Sequence, residues 1–139
     1  YLWRKPGRGD RMRKEDRSSA LIRLEDAEEY LASAKDNLDK ERNKASLDHA
    51  VDATIAANDA FTIAMVREVG TRDHREALAL HGKAGRKAGD NRTRELAMLL
   101  ELRHRITYRP VSVSPKQASS GLRSSSRFVS WVRDLIIRG

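Results

Sequence analysis

The chain has 139 residues, a length typical of one domain. It contains no cysteine, which excludes a disulfide scaffold, a cysteine-ligated metal or iron–sulfur site and a cysteine nucleophile. With 39% hydrophobic and 35% charged residues it is too apolar for a disordered chain. No apolar run approaches the roughly 20 residues that span a bilayer. We therefore expect a cytoplasmic protein with no membrane partner.

The net charge of +8 is unevenly distributed along the chain. Residues 1–20 carry a net charge of +4, residues 21–60 of −5 and residues 61–139 of +9. An excess of positive charge makes an anionic partner plausible. The asymmetry is equally compatible with acidic and basic elements that simply lie side by side in the fold.

The N-terminal half predicts a tail and two helices. Residues 1–19 lack apolar periodicity and contain proline and glycine among scattered basic residues, as a flexible basic tail does. Apolar residues at helical spacing then predict a first helix over residues 20–42 and a second over residues 46–69, with Gly70 as its left-handed C-terminal cap. Asn58 lies on the apolar stripe of the second helix, so we expect it to be hydrogen-bonded to a neighbouring helix or to lie at a wet interface.

A short helical segment follows at residues 73–81, and residues 82–89 are basic and rich in glycine. This second stretch resembles a phosphate-binding loop only superficially. Ala84 follows Lys83 where the Walker pattern needs serine or threonine, and no strand precedes it. We therefore predict a mobile loop here and no nucleoside triphosphate site.

The C-terminal third predicts two further helices. One begins near Arg92 and ends at residues 109–110, because the residue before proline is disfavoured in a helix. The last has Ser114 as its N-cap, Pro115 at its first position and Gln117 to complete a capping box. No segment alternates with the period of a strand. The predicted fold is all-α, an up-and-down bundle of four long helices plus one short helix that forms a single domain over residues 20–139.

Most of the common catalytic patterns are missing from the sequence. Neither an HExxH pair nor a GxSxG nucleophile motif is present. His74 and His81 are seven residues apart without an acidic residue at helical spacing, and ordinary packed or surface histidines explain them better than metal ligands. We predict no metal and no cofactor.

One cluster of polar side chains interrupts an apolar face. Arg103 lies on the same stripe as the leucines of the fourth predicted helix, and Tyr108 follows one and a half turns later. A guanidinium at such a position needs an anionic or wet environment. It could bind a phosphate while His104 or Tyr108 donates a hydrogen bond or relays a proton. Alternatively, it pairs with Asp52 or Asp59 of the second helix while the tyrosine ring packs.

The C-terminal part of the chain combines residues 99–110, the following Val113-Ser114 and a closing amphipathic helix. This combination resembles the C-terminal half of a HEPN domain (higher eukaryotes and prokaryotes nucleotide-binding). The resemblance continues into the preceding half of that domain. It is carried there by the Ala-rich stretch at residues 50–60, the glycine after it and residues 73–75. The resemblance covers roughly residues 24–137. It implies a helical bundle that is usually a homodimer.

Active HEPN proteins cleave RNA without metal through an Arg, a polar residue after it and a His four to six positions later. Arg103 matches the motif Arg and His104 the polar position, whereas Tyr108 stands in place of the motif His. An imidazole exchanges protons near neutral pH and a phenol does not, so the departure favours binding over catalysis. The candidate catalytic residues are Arg103, His104 and Tyr108, and the candidate ligand-binding residues are Arg103, Arg105, Arg109 and Asn58.

Two functions follow as hypotheses. The first is a HEPN-like dimer that binds RNA, a nucleotide or a partner protein through a cleft around Arg103 and Tyr108, without efficient catalysis. The second is a metal-independent endoribonuclease, the toxin of a toxin–antitoxin pair, for which the resemblance implies a nucleotidyltransferase-type antitoxin as partner. A purely structural helical dimer is a third possibility.

Overall fold

The computed structural model describes residues 14–69 and 73–138, and all regular secondary structure in these ranges is helical. The helices are α1 (Lys14–Asp39), α2 (Asn43–Val66), α3 (His74–Ala88), α4 (Thr93–Tyr108) and α5 (Pro115–Arg138). None of the helices within these ranges is long and apolar enough to cross a membrane. The predicted all-α class is confirmed.

α2 is the central helix and packs against the other four, most extensively against α1 and α5. Six of its fourteen buried residues are alanine, which lets neighbouring helix backbones approach closely. Larger side chains fill the space around it, and Phe61, Phe128 and Ile136 are almost completely buried. This packing decides which side chains of α4 come close to α2.

The first two helices differ from prediction at their ends. α1 begins at Lys14, so residues 14–19, expected in the flexible tail, are helical; residues 1–13 lie outside the described residues. Arg17 donates a hydrogen bond to the carbonyl of Ile136 at 2.9 Å, which ties this extra turn to the end of α5. α2 ends at Val66 with Arg67 in the left-handed conformation (φ 59°), earlier than the predicted cap at Gly70, which the structure does not describe.

The predicted loop at residues 82–89 is wrong, because α3 continues as a helix to Ala88. Gly89 is the cap, with φ 83° and its N–H donated to the carbonyl of Gly85 at 2.8 Å. Gly85 is buried, and a Cβ there would lie 2.8 Å from Cβ of Asn91. This glycine therefore permits close packing instead of flexibility. With 15 residues, α3 is nearly as long as the 16-residue α4, so it is not the single short helix of the prediction.

The two C-terminal helices agree with the sequence prediction. α4 ends at Tyr108, and Arg109 before the proline is extended (φ −130°, ψ 146°). At the start of α5, the N–H of Gln117 donates to Oγ of Ser114 at 3.1 Å, and the N–H of Ser114 donates to Oε1 of Gln117 at 2.8 Å. The predicted capping box is therefore confirmed.

Candidate functional site

An open cleft of about 620 Å³ lies between the first turn of α3 and the C-terminal half of α4. It brings together the three candidate catalytic residues, Arg103, His104 and Tyr108, with residues at the start of α3 that were not predicted as part of the site. The lining residues are Asp73, His74, Arg75, Arg103, His104, Thr107 and Tyr108. We call this the α3–α4 cleft.

The helical spacing of α4 places its aromatic side chains in a row along the cleft. His104 and Tyr108 are one turn apart, and their ring centroids lie 4.9 Å from each other at an interplanar angle of 49°. The ring of His74, from α3, lies 6.0 Å from that of His104 in an edge-to-face arrangement. Tyr108 has 74% of its surface exposed, which leaves its ring accessible to a ligand.

Arg103 points from α4 toward α2 and is held by two carboxylates. Its Nε lies 2.9 Å from Oδ1 of Asp48, and its Nη2 donates to Oδ1 of Asp52 and, at 2.9 Å, to the backbone carbonyl of Asp48. The predicted pairing with α2 is therefore observed at Asp52. The other candidate, Asp59, instead accepts a hydrogen bond from Arg23 of α1 at 2.8 Å. Tyr108, which this interpretation expected to pack its ring, is exposed.

The first turn of α3 supplies the opposite wall. Asp73 is the N-cap and accepts the N–H of Glu76 at 2.8 Å, which starts the helix and fixes the direction of the residues after it. His74 is half-buried and Arg75 is exposed. One sequence feature could have indicated this wall, namely an N-cap residue followed by two basic residues. Because this segment is distant in sequence from α4, the contact between them could not be predicted.

The remaining candidate ligand-binding residues do not line the cleft. Asn58 is buried in the core, where its Oδ1 lies 2.8 Å from Nδ1 of His81, so the predicted bond to a neighbouring helix is confirmed and the side chain faces away from solvent. Arg105 borders a different, smaller cavity of about 260 Å³ between the end of α4 and the start of α5. Arg109 is exposed beyond the end of α4.

No group of three or more metal-ligating side chains occurs among the described residues. His74 and His81, which the sequence analysis considered together, serve different purposes. His74 lines the α3–α4 cleft, while His81 is fully buried against the rings of Phe61 and Trp131.

The cleft therefore combines guanidinium groups, imidazoles and an accessible phenol ring. Guanidinium groups bind phosphate oxygens, and aromatic rings stack on bases. Imidazoles can also transfer protons near neutral pH. A scan against protein-family models found no matching family, and a search of curated proteins found no match.

Proposed function

We propose that this chain is a HEPN-like helical protein that binds single-stranded RNA through the α3–α4 cleft without efficient catalysis. The observation that carries the proposal is the exposed ring of Tyr108 beside His104, at the edge of a cleft that also contains Arg75. Binding to single strands combines base stacking on an aromatic ring with cationic contacts to the phosphates.

The surrounding charge favours a polynucleotide over a mononucleotide or a protein partner. Arg105 and Arg109 are exposed at the same end of α4, so positive charge continues beyond the cleft itself. A ligand with several phosphates can contact more of this surface than one with a single phosphate, and its binding releases counterions.

The HEPN resemblance extends the proposal to assembly and location. We expect the protein to act as a cytoplasmic homodimer. If it is the toxin-like half of a toxin–antitoxin pair, its partner is a nucleotidyltransferase-type antitoxin.

The proposal is tested by fluorescence anisotropy with a labelled single-stranded RNA and two tyrosine variants. Tyr108→Ala should weaken binding about tenfold, as expected when one base–aromatic stacking contact is lost. Tyr30→Ala is the matched control, because Tyr30 is also exposed (40%) but lies on α1 outside the cleft. Affinity should fall as salt rises. An undetectable complex with the unaltered protein, or equal affinities for the two variants, would contradict RNA binding at this cleft.

A second candidate function is metal-independent RNA cleavage, which is favoured by the two imidazoles of His74 and His104 with ring centroids 6.0 Å apart. One imidazole would take the proton of a ribose 2′-hydroxyl as its oxygen attacks the adjacent phosphorus. The other would protonate the departing 5′-oxygen, leaving a 2′,3′-cyclic phosphate. Cleavage in EDTA that is lost in both His74→Ala and His104→Ala would support this function. Intact RNA after prolonged incubation with the unaltered protein would refute it.

A further inference from the structure

We infer that Arg75, and not Arg103, is the phosphate-binding cation of the α3–α4 cleft, and that Asp48 and Asp52 weaken anion binding there. The inference rests on the proposed function in that the same cleft is the binding site. It differs from the sequence prediction, in which Arg103 holds the phosphate. The reason is that the guanidinium of Arg103 is already paired with carboxylates, whereas that of Arg75 is paired with none among the described residues.

Arg103 is already neutralised by α2. Its Nε and Nη2 contact the carboxylates of Asp48 and Asp52, and Nη2 also donates to a backbone carbonyl. The three side chains together carry one positive and two negative charges. Only 25% of the Arg103 side chain is exposed, so a phosphate would have to displace a carboxylate to bind it bidentately. Arg103 therefore positions α4 against α2.

Arg75 has the opposite environment. It lines the cleft from the first turn of α3 and is exposed. No ion pair or hydrogen bond joins its guanidinium to another residue within the described parts of the chain. The adjacent carboxylate, Glu76, lines a different cavity with Glu68 and Lys83. Asp73, two residues before Arg75, already accepts the N–H of Glu76 as the cap of α3. An exposed arginine of this kind can orient its planar donors toward a phosphate without breaking an existing contact.

The rings beside Arg75 complete a site for a phosphate and its sugar or base. His74 precedes it on α3, and His104 faces His74 across the cleft at 6.0 Å. Both imidazoles can donate N–H groups to phosphate oxygens. Tyr108 packs beside His104, where a base attached to the bound phosphate would meet its exposed ring.

The inference predicts substitutions with opposite effects on anion affinity. Arg75→Gln should weaken binding about tenfold, because one charge-assisted contact is lost. Asp48→Asn should strengthen binding about threefold, because it removes a negative charge beside the cleft and keeps the side-chain shape. Arg103 is a poor first choice for substitution. Its removal would leave Asp48 and Asp52 unneutralised, and these carboxylates would then repel anions whether or not Arg103 itself binds phosphate.

Two control variants carry the same changes in net charge elsewhere. Arg127→Gln removes a positive charge from an exposed position of α5. Asp36→Asn removes a negative charge from an exposed position of α1, where Asp36 pairs with Lys40 at 3.0 Å. Neither residue lines the cleft. Each control should change affinity less than twofold, by the weak long-range effect of net charge.

The experiment is a titration of the full chain and the four variants with inorganic pyrophosphate, in which ¹H–¹⁵N NMR spectra report binding. Shifts should concentrate at His74, Arg75 and His104. Failure of the unaltered protein to bind pyrophosphate would overturn the inference. Equal affinities of Arg75→Gln and Arg127→Gln, or of Asp48→Asn and Asp36→Asn, would do the same.

Parallel titration with single-stranded RNA separates this inference from the proposed function. Pyrophosphate binding that depends on Arg75 without RNA binding would refute the proposed function and leave the anion site standing. RNA binding that requires Tyr108 but is indifferent to Arg75→Gln would refute the anion site and leave the proposed function standing.

Discussion

Acidification is expected to destabilise the fold through His81, which α3 places in the core with none of its surface exposed. Its Nε2 accepts the backbone N–H of Arg92 at 2.8 Å, so the ring proton is on Nδ1 and is donated to Oδ1 of Asn58, also at 2.8 Å. The rings of Phe61 and Trp131 lie 5.0 and 5.8 Å away. Protonation of Nε2 would break the bond from Arg92 and bury a positive charge among these rings.

The magnitude follows from the titration of this one group. Burial lowers the pKa of His81 from 6.5 to about 4. The charge of Glu95 makes a smaller contribution that raises this pKa, and the charge of Arg92 makes one that lowers it. Because the pKa is lower in the folded state, stability is fully present above pH 6.5 and is lost as the pH falls from 6.5 toward 4. Between about pH 7 and pH 5, His81 should remove about 2 kcal/mol from the free energy of unfolding.

Urea denaturation of the unaltered protein and of His81→Gln at these two pH values measures the effect. Glutamine keeps a hydrogen-bonding side chain but does not titrate. The variant should be less stable at pH 7 by about 1–3 kcal/mol, since it satisfies Asn58 and Arg92 imperfectly. It should also lose about 2 kcal/mol less than the unaltered protein on going to pH 5. An equal loss in both proteins, or an NMR titration of His81 centred near 6.5, would refute the reasoning.

Two other predictions concern helix packing and capping. Gly121→Ala should destabilise the protein by about 1–3 kcal/mol in urea denaturation, because a Cβ there would lie 2.3 Å from Cδ1 of the buried Leu47. Gly82→Ala is the control: it has room in α3 and should raise stability by up to about 1 kcal/mol, so equal effects of the two would contradict this account. Ser114→Ala should cost about 1 kcal/mol through loss of the capping bond to the N–H of Gln117, and an unchanged melting temperature would exclude that contribution.

The two C-terminal helices could be predicted because their signals are local. The capping box at Ser114 and Gln117 is satisfied by residues three positions apart, whatever else the chain does. Pro110 likewise favours the end of α4, because it disfavours the helical conformation at Arg109. The apolar stripe of α5 predicts a buried face, and this face packs mainly against α2.

The error in α3 has a tertiary cause. Glycines in a basic stretch indicate a loop by composition, yet Gly85 is helical and buried because Asn91 packs where its Cβ would be. The end of α2 is similar, since Arg67 adopts the left-handed conformation for which the sequence favours Gly70. At Gly85 the packing between segments outweighs local preference.

The sequence by itself determined that Arg103 lies on the buried stripe of α4 and needs a partner, because the period of a helix assigns each residue to a face. Only the tertiary structure decided that the partners are Asp48 and Asp52 and that His74 and Arg75 share the cleft. The physical reason is that a helical period reports which way a side chain points along its own helix. It carries no information on which residue of another helix lies opposite, since that depends on how the helices pack.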